Sequence, residues 1–236
     1  MKEARHMYSV LLSDYEKGMN LVDSKLRKII KKDAKVVIIA WTFPTELDYD
    51  SFNNEWFKKD ERRYKKYVGS LINLGLKEEN ISILNCYDKV NIPNFKKTIN
   101  NSDVLVITGG NPEMLYSKVV QETEILYNIK HYKGTIIGSS AGTVLQLKRY
   151  FITAKNNYYK YFAFYDGFGV LDDPFYIDVH SINNKMYLDK LQKIANEKYK
   201  NVYAIYNDGA MIFNRENSRL EIFGNVKLFV PRVNSN

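Results

Sequence analysis

The sequence predicts an α/β fold in which helices cover both faces of a mainly parallel β-sheet. As far as Leu147, short apolar runs alternate regularly with helical patterns. The apolar runs are continuous rather than alternating with polar residues, which is typical of strands buried on both faces. The chain has 236 residues, of which 45% are hydrophobic and 14% aromatic, enough to bury a substantial core.

Strands and helical patterns follow one another in order through this first part of the chain. The predicted strands are Tyr8–Leu12, Val36–Ala40, Ile81–Leu84, Val104–Ile107 and Thr135–Ile137. The helical patterns are Val22, Leu26, Ile29 and Ile30; a long polar pattern from Phe52 to Leu74; Leu115, Val119, Leu126 and Ile129; and Ala141 to Leu147. Gly75, directly after the long pattern, is a typical helix C-cap.

The remainder of the chain is less regular and richer in strands. A strand is predicted over Phe175–Val179. An amphipathic helix is predicted from Tyr187, Leu188, Leu191, Ile194 and Ala195. Short strands separated by turns are predicted at Val202–Tyr206, Ala210–Phe213, Leu220–Phe223 and Lys227–Val230. The sequence contains no linker-like segment and no internal repeat, so we expect a single α/β domain over residues 1–236.

Composition argues against several classes of protein. The longest apolar run, Val36 to Trp41, is far shorter than the ~20 residues of a membrane helix, and no secretory signal pattern follows Met1. The single cysteine, Cys86, cannot form an internal disulfide or a thiolate metal cluster. The net charge is +8, but basic and acidic residues are interleaved, as in Lys58–Arg63, which is typical of a solvated helix face. We expect a cytoplasmic protein without nucleic-acid or membrane partners; a homodimer is compatible with the sequence.

A Gly-x-Ser-x-Gly pattern lies between a predicted strand and a predicted helix. In that context a sharp turn lifts the serine hydroxyl above the sheet, and the glycines relieve crowding around it. Gly138 and Gly142 select Ser140 as the nucleophile, because glycines do not flank Ser139 in the same register. The backbone N–H of Ala141 is placed to bind a developing oxyanion. The alternative is a tight strand–helix turn without chemistry.

A serine nucleophile needs a base, and the chain contains three histidines. Parallel sheets place their sites at the carboxyl ends of strands, where both Ser140 and His180 are predicted. His6 and His131 precede strands, so a strand length of about 15 Å separates them from Ser140. His180 is therefore the predicted base, although a lone histidine at a strand end is often structural.

A carboxylate should orient the imidazole, and the residues alone leave several candidates open. They are Asp172, Asp173, Asp178 and Asp208. The first two look like turn residues, and Asp178 has too little room to fold back onto a ring two residues away. Asp208 follows the end of a predicted strand and precedes Gly209, where an ordinary Asp-Gly turn is an equal alternative.

A glycine pair lies between the fourth predicted strand and the next helix, in the segment Gly109-Gly110-Asn111-Pro112. Glycine lets the backbone approach a ligand closely, and the N–H of Gly110 could supply a second oxyanion donor. A plain strand–helix turn explains the pair equally well. Cys86 also follows a strand, but it lacks a glycine-flanked turn and is expected to be a buried bystander.

Four blocks of the sequence resemble the dipeptidase E and cyanophycinase family of serine peptidases. They are Ile107-Thr108-Gly109-Gly110-Asn111, Gly138-Ser139-Ser140-Ala141-Gly142, His180 and Asn207-Asp208-Gly209, in the family's order. The likeness extends from about Tyr8 to Val230. It implies a flavodoxin-like three-layer sandwich, similar to class I glutamine amidotransferases, with no metal or cofactor.

The resemblance also implies roles for individual residues. They are Ser140 as nucleophile, His180 as base, Asp208 as orienting acid, Gly110 and Ala141 as oxyanion amides, and Gly109 and Asn111 at the substrate. Thr143 stands where many members have alanine, and Asp208 where several have glutamate. The segment after His180 lacks the arginine expected in members that recognise acidic side chains.

The resulting expectation is a serine exopeptidase that hydrolyses small peptides. Members of the family cleave Asp-containing dipeptides or cyanophycin, and nothing in this sequence selects between these substrates. One alternative is an esterase or amidase that uses the same residues on small acyl groups. Another is a ligand-binding relative that kept the serine turn and lost turnover.

Overall fold

The computed structural model describes residues 6–42, 48–88, 92–153, 161–172 and 174–232. The strands are β1 (Tyr8–Leu12), β2 (Val36–Ile39), β3 (Ile81–Leu84), β4 (Val104–Ile107), β5 (Thr135–Ser139), β6 (Arg149–Ile152), β7 (Ala163–Asp166), β8 (Tyr176–Val179), β9 (Val202–Asn214) and β10 (Leu220–Phe229). The helices are α1 (Tyr15–Ile29), α2 (Tyr49–Phe57), α3 (Arg62–Tyr64), α4 (Ser70–Asn73), α5 (Ile92–Asn100), α6 (Pro112–Gln121), α7 (Thr123–Lys130), α8 (Ala141–Val144) and α9 (Lys185–Lys198). A π-helical turn (Lys65–Gly69) joins α3 to α4, and a 3₁₀ turn (Glu78–Asn80) precedes β3.

Eight of the described strands form one sheet, in the order β10-β9-β1-β5-β4-β2-β3, and β8 also pairs with β9. Five neighbouring strands are mutually parallel, namely β1, β5, β4, β2 and β3. Strand β9 is antiparallel to both of its neighbours β1 and β10. Nearly every residue of β1, β2, β4 and β5 is buried, as expected for strands covered on both faces. The predicted α/β fold with a mainly parallel sheet is confirmed.

Helices pack on both faces of the sheet and give it three layers. On one face, α1 and the segment from α2 to α4 contribute large buried side chains, including Tyr15, Trp56 and Tyr67. On the other face, α5, α6 and α7 contribute buried residues such as Leu115 and Ile129. Burying a side chain of this size stabilises the fold by about 1.5–3 kcal/mol, so these two apolar layers hold the sheet in place.

The long strand β9 brings the ends of two other strands together. Its first half pairs in parallel with β8, with Val179 opposite Ile205. Its second half pairs antiparallel with β1, with Leu12 opposite Ala210. Because β10 occupies the other edge of β9, β1 and β8 lie on the same edge and run towards each other. Their carboxyl ends therefore meet beside the middle of β9.

The middle of β9 is bulged relative to β10. Gly209 pairs with Gly224, and Ile205 pairs with Val226, so residues 206–208 of β9 face a single residue of β10. A β-bulge interrupts regular pairing and re-aims the side chains of the bulged strand. This irregularity lies where the ends of β1 and β8 meet.

Three predicted elements differ from the structure. The long helical pattern from Phe52 to Leu74 is interrupted by residues 58–61, which are charged and exposed and so gain no burial from continuing the helix. The helix predicted after β4 is divided at Glu122 into α6 and α7. The paired short strands predicted near the carboxyl terminus are the continuous strands β9 and β10, because the Asp208-Gly209 segment is extended rather than a turn.

Other local predictions agree with the structure. Gly75 has φ +101° just after α4, which is the left-handed conformation of a helix C-cap glycine. The strand predicted over Phe175–Val179 is β8, and the amphipathic helix after it is α9. The sequence analysis did not predict α5 or the separate two-stranded sheet of β6 and β7.

Candidate active site

Ser140 occupies the sharp turn between β5 and α8. Its backbone has φ 50° and ψ −112°, a conformation that residues with a side chain rarely adopt. Its amide donates a hydrogen bond of 2.9 Å to the carbonyl oxygen of Leu12, which ties the turn to the end of β1. The turn carries the side chain beyond the carboxyl edge of the sheet, which is the geometry of a nucleophile elbow.

The glycines on either side of Ser140 allow the backbone to pack closely around the turn. A Cβ on Gly138 would lie 2.2 Å from the carbonyl oxygen of Gly142. A Cβ on Gly142 would lie 2.1 Å from the carbonyl oxygen of Ile107. Both distances are well inside van der Waals contact, so neither position has room for a side chain.

Thr143 anchors the first turn of α8 to the sheet. Its side chain is fully buried, and its Oγ1 lies 2.7 Å from the carbonyl oxygen of Leu12 and 2.9 Å from that of Gly138. The single hydroxyl proton is shared by these two carbonyl oxygens, one of which belongs to β1 and the other to β5. Thr143 therefore has a structural role, at a position where the family resemblance leads us to expect alanine.

His180 directly follows β8, and its Nε2 lies 2.8 Å from Oγ of Ser140. The backbone of His180 is also left-handed, with φ 53°. Its amide N–H donates a hydrogen bond of 2.7 Å to Oγ of Ser13, a buried residue that directly follows β1. The end of β1 thus contacts both residues of the Ser–His pair.

Asn207, and not Asp208, contacts the other nitrogen of the imidazole. Oδ1 of Asn207 lies 2.6 Å from Nδ1 of His180. The predicted contact of Asp208 with His180 is therefore corrected to Asn207. Both residues lie in the bulge of β9, where regular pairing with β10 is interrupted and side-chain directions change. In the part of the chain that the structure describes, the side chain of Asp208 makes no hydrogen bond or ion pair.

An amide in place of a carboxylate fixes the imidazole tautomer without adding charge. The amide oxygen of Asn207 can only accept a hydrogen bond, so Nδ1 of His180 carries the proton. Nε2 then presents its lone pair to Ser140, whose hydroxyl donates to it. Unlike a carboxylate, the neutral amide supplies no negative charge to stabilise an imidazolium.

The two amides of the glycine pair after β4 differ in their hydrogen bonding. The N–H of Gly109 donates to the hydroxyl of Tyr67 at 3.1 Å. Gly110 has φ 148°, and neither its N–H nor that of Ala141 has a hydrogen-bond partner among the described residues. These are the two amides predicted to bind an oxyanion.

Asn111, predicted to contact the substrate, is the N-cap of α6. Its Oδ1 accepts the amides of Glu113 and Met114 at 2.9 and 3.1 Å, and its carbonyl oxygen accepts the hydroxyl of Thr42 at 2.6 Å. These contacts hold the glycine turn against α6. In this structure the side-chain oxygen of Asn111 is therefore engaged in capping the helix.

The two other histidines lie away from the Ser–His pair. His131 is the C-cap of α7, and its Nδ1 lies 2.8 Å from the carbonyl oxygen of Tyr127. The carbonyl oxygen of His6 accepts the hydroxyl of Thr135 at the amino end of β5. Both positions are at the opposite edge of the sheet from Ser140.

The other acidic candidates also have separate environments. Asp172 is exposed and pairs with Lys148 at 3.3 Å, and Asp173 lies outside the described residues. Asp178 is buried and accepts hydrogen bonds from Tyr187, at 2.5 Å, and from Ser181. Burial, and then the charge of Asp178, raise the pKa of Tyr187 above its usual range, so its hydroxyl stays protonated.

Two cavities open at Ser140, and Gly110 and His180 also line both of them. The larger has a volume of about 510 Å³, and its wall carries charges of both signs. The charged residues are Asp14, Glu55, Glu61, Arg62, Arg63 and Lys66. The smaller cavity, about 130 Å³, is mainly apolar and includes Val144 and Phe151 in its lining.

Three residues of this region were missed in the sequence analysis. Ser13 follows the carboxyl end of β1, and the rule that selected His180 could have selected it too. Asn207 lies next to Asp208, and a carboxylate is the more usual partner for a histidine. Tyr67 gives no local signal, because its helical turn reaches the site only through packing.

No group of His, Cys, Asp and Glu residues within the described ranges could hold a metal ion. Within the same ranges, no helix is both long and apolar enough to cross a membrane.

A strained serine, a histidine in contact with it and a third side chain that orients the histidine form the arrangement of a serine hydrolase. The model of peptidase family S51 matches residues 58–221 of the chain. This protein belongs to peptidase family S51 and is a serine-type peptidase.

Solved structures share the same fold. A protein from Listeria monocytogenes EGD-e, described as a candidate peptidase E, has 19% sequence identity and a TM-score of 0.60; the match covers 94% of this chain and 98% of that one. A peptidase from an acI-B1 Actinobacterium has 13% identity and a TM-score of 0.60, over 98% of this chain and 96% of that one. No curated protein matches the sequence.

Replacement of Gly142 by alanine should destabilise the fold. The new Cβ would clash with the carbonyl oxygen of Ile107, and overpacking of this kind costs about 1–3 kcal/mol. Gly69→Ala is the matched control, because no atom lies within 4 Å of its Cβ position, and it should be neutral or slightly stabilising. Urea unfolding of both variants measures the difference. Equal stability of the two would contradict the close packing described for the turn.

If His180 acts as the base, replacement of Asn207 by aspartate should raise kcat by about tenfold, because a carboxylate on Nδ1 would stabilise an imidazolium. The same charge should move the rise of kcat/KM to higher pH. Asp208→Asn removes a neighbouring charge that does not contact His180, and it should change kcat less than about twofold. If Asp208→Asn lowered kcat by more than about tenfold and Asn207→Asp left it unchanged, the sequence-based choice of Asp208 would be restored.

Proposed function

We propose that this peptidase is an exopeptidase that hydrolyses small peptides with Ser140 as nucleophile, His180 as general base and Asn207 as the group that orients the base. The observation that carries the proposal is the 2.8 Å contact between Oγ of Ser140 and Nε2 of His180. Both residues line two cavities, which we propose receive the groups on either side of the scissile bond.

The reaction follows from the positions of the protons. His180 takes the hydroxyl proton as Oγ of Ser140 attacks the scissile carbonyl carbon. The imidazolium then gives its proton to the leaving amine as the C–N bond breaks, which leaves an acyl ester on Ser140. A water molecule, deprotonated by the same histidine, hydrolyses this ester and restores the free serine.

The amides of Gly110 and Ala141 are the proposed donors to the oxyanion. Negative charge develops on the carbonyl oxygen when the tetrahedral intermediate forms, and fixed N–H donors stabilise it without reorganising. Both residues flank Ser140 around the smaller cavity, and both amides lack a partner among the described residues.

The dimensions and charges of the cavities favour short substrates with free termini. The smaller cavity, about 130 Å³, has room for little more than one side chain. The larger cavity presents cationic and anionic side chains within one volume, among them Arg62 and Glu61. A dipeptide carries one ammonium and one carboxylate group, so a wall of mixed charge suits it better than an internal segment of a long chain.

A panel of dipeptides tests the proposal, with N-terminal aspartyl and β-aspartyl members included. Each hydrolysed member is tested again with its amino group acetylated, and again with its carboxyl group amidated. We expect free dipeptides to be cleaved and the blocked forms to be cleaved at least about tenfold more slowly, since a charge-assisted contact is lost. Cleavage inside long blocked peptides would identify an endopeptidase, and turnover of simple esters alone would identify an esterase.

Ser140→Ala should abolish turnover, with a loss on the order of 10⁶ in kcat, as expected for a serine nucleophile. Ser139→Ala should cost no more than about tenfold, the order of one lost hydrogen bond, because this buried serine belongs to β5. A fluorophosphonate probe should label wild type and Ser139→Ala but not Ser140→Ala. Labelling of Ser140→Ala would show that another residue is the nucleophile.

The rate should depend on pH as a neutral imidazole base requires. We expect kcat/KM to fall towards acid pH, because a protonated imidazole cannot act as the base, and we expect His180→Ala to remove both the activity and this dependence. His131→Ala and His6→Ala should leave the profile unchanged, since both side chains lie at the other edge of the sheet. A shifted profile in either control would mean that the base is misassigned.

A further inference from the structure

A π-helical turn places Tyr67 directly beside the glycine turn of the site. Residues 65–69 form this turn between α3 and α4, and π-helical turns inside helices occur frequently at functional sites. The side chain of Tyr67 is only 4% exposed. Its ring packs against those of Tyr15, at 4.3 Å between centroids, and Trp56, at 5.2 Å. The ring is therefore held firmly and can place its hydroxyl with little freedom.

The hydroxyl of Tyr67 binds the chain where regular strand pairing has ended. It accepts the N–H of Gly109 at 3.1 Å, two residues after the end of β4. It also interacts with the side chain of Ser139, the residue before the nucleophile. Burial raises the pKa of Tyr67, so the group remains a neutral hydroxyl at physiological pH. One side chain from a distant helix thus contacts both segments that border Ser140.

The contact determines which amide of the glycine pair stays available. Glycine allows many backbone conformations, so two consecutive glycines need an outside contact to hold one geometry. With its N–H engaged by Tyr67, Gly109 cannot rotate to compete for the oxyanion. Gly110, at φ 148°, is left as the residue of the pair whose N–H has no partner among the described residues.

We propose that Tyr67 is a positioning residue that fixes the Gly109-Gly110 turn and so holds the Gly110 amide ready for the oxyanion. The proposal rests on the function proposed above, in which that amide stabilises the tetrahedral intermediate. It assigns to the π-helical turn an effect on the rate of the chemical step. The effect acts through the backbone, because Tyr67 itself need not touch the substrate.

The neighbouring Tyr15 offers a matched control. It is as well buried as Tyr67, at 1% exposed, and the two rings are in contact. Its hydroxyl, however, has no hydrogen-bond partner among the described residues. Loss of the hydroxyl therefore removes a contact to the glycine turn in Tyr67→Phe and removes no hydrogen bond in Tyr15→Phe. A role limited to aromatic packing would make the two variants equivalent.

The first measurement compares kcat and KM of the two variants on the best substrate of the dipeptide panel. Tyr67→Phe should lower kcat by about tenfold to a hundredfold, somewhat less than direct loss of an oxyanion donor, and leave KM within about twofold. Tyr15→Phe should keep kcat within about twofold. Equal kcat values in the two variants would overturn the proposal, as would a loss in Tyr67→Phe confined to KM.

Two further measurements separate positioning from general damage to the fold. Binding of a peptide aldehyde, which adds to Ser140 and places its oxygen at the same amides, should weaken in Tyr67→Phe by the same factor as kcat/KM. The pH at which kcat/KM reaches half its maximum should not move, because His180 is untouched. A shifted pH profile would mean that the substitution disturbs the site in another way, and it would overturn the proposal. The proposal would also be overturned if kcat fell while the affinity for the aldehyde stayed the same.

The rate of fluorophosphonate labelling distinguishes failure of this inference from failure of the proposed function. Labelling builds negative charge on an oxygen next to Ser140 without requiring a peptide substrate. If wild type labels but cleaves no peptide, the exopeptidase proposal fails, and slower labelling of Tyr67→Phe than of Tyr15→Phe still supports the inference. If wild type cleaves dipeptides and both variants label at the same rate, the inference fails and the proposed function stands.

Discussion

The arrangement of the site depends on one feature of the sheet, the meeting of two strand ends beside the bulge of β9. β8 is parallel to the first half of β9, and β1 is antiparallel to its second half, so the two carboxyl ends approach each other. Ser13 and His180 are the first residues after these ends, and Asn207 lies in the bulge between them. Ser140 follows β5, the other neighbour of β1. Four segments distant in sequence thus converge without any long loop.

The end of β1 stabilises both strained residues of the Ser–His pair. Ser140 and His180 each have positive φ, and a conformation of this kind costs about 1–3 kcal/mol. The carbonyl oxygen of Leu12 accepts the amide of Ser140, and the hydroxyl of Ser13 accepts the amide of His180. Two consecutive residues of one buried strand end therefore offset strain on two different segments. Because the anchor is shared, a displacement of β1 would alter the distance between the serine and the histidine.

The sequence was informative where a residue's position follows from its own segment. Ser140 and His180 directly follow strands that apolar runs predict, so their placement at one edge of the sheet needs no knowledge of distant contacts. The choice between Asn207 and Asp208 depends on the bulge, and the bulge depends on the pairing of β9 with β10, a long-range property that spacing does not reveal. The contact of Tyr67 with Gly109 depends on tertiary packing of a helix against the sheet, for which the sequence has no local sign.

In the proposed mechanism, the neutral amide of Asn207 leaves more of the electrostatic stabilisation to the groups around the oxyanion. Attack by Ser140 would turn a neutral pair into an imidazolium and a negatively charged oxygen. A carboxylate would stabilise the positive half of this charge separation, whereas Asn207 only orients the ring. More of the transition-state stabilisation must then come from donors on the negative half, where fixed amides are effective because they need no reorganisation. A rigid glycine turn would therefore contribute more to transition-state stabilisation in this site than in a site whose histidine is oriented by a carboxylate. The buried hydroxyl of Tyr67 accepts the N–H of Gly109, and Asn207 contacts His180. If both proposals hold, the neutral partner of the histidine and the π-helical turn act on the same transition state.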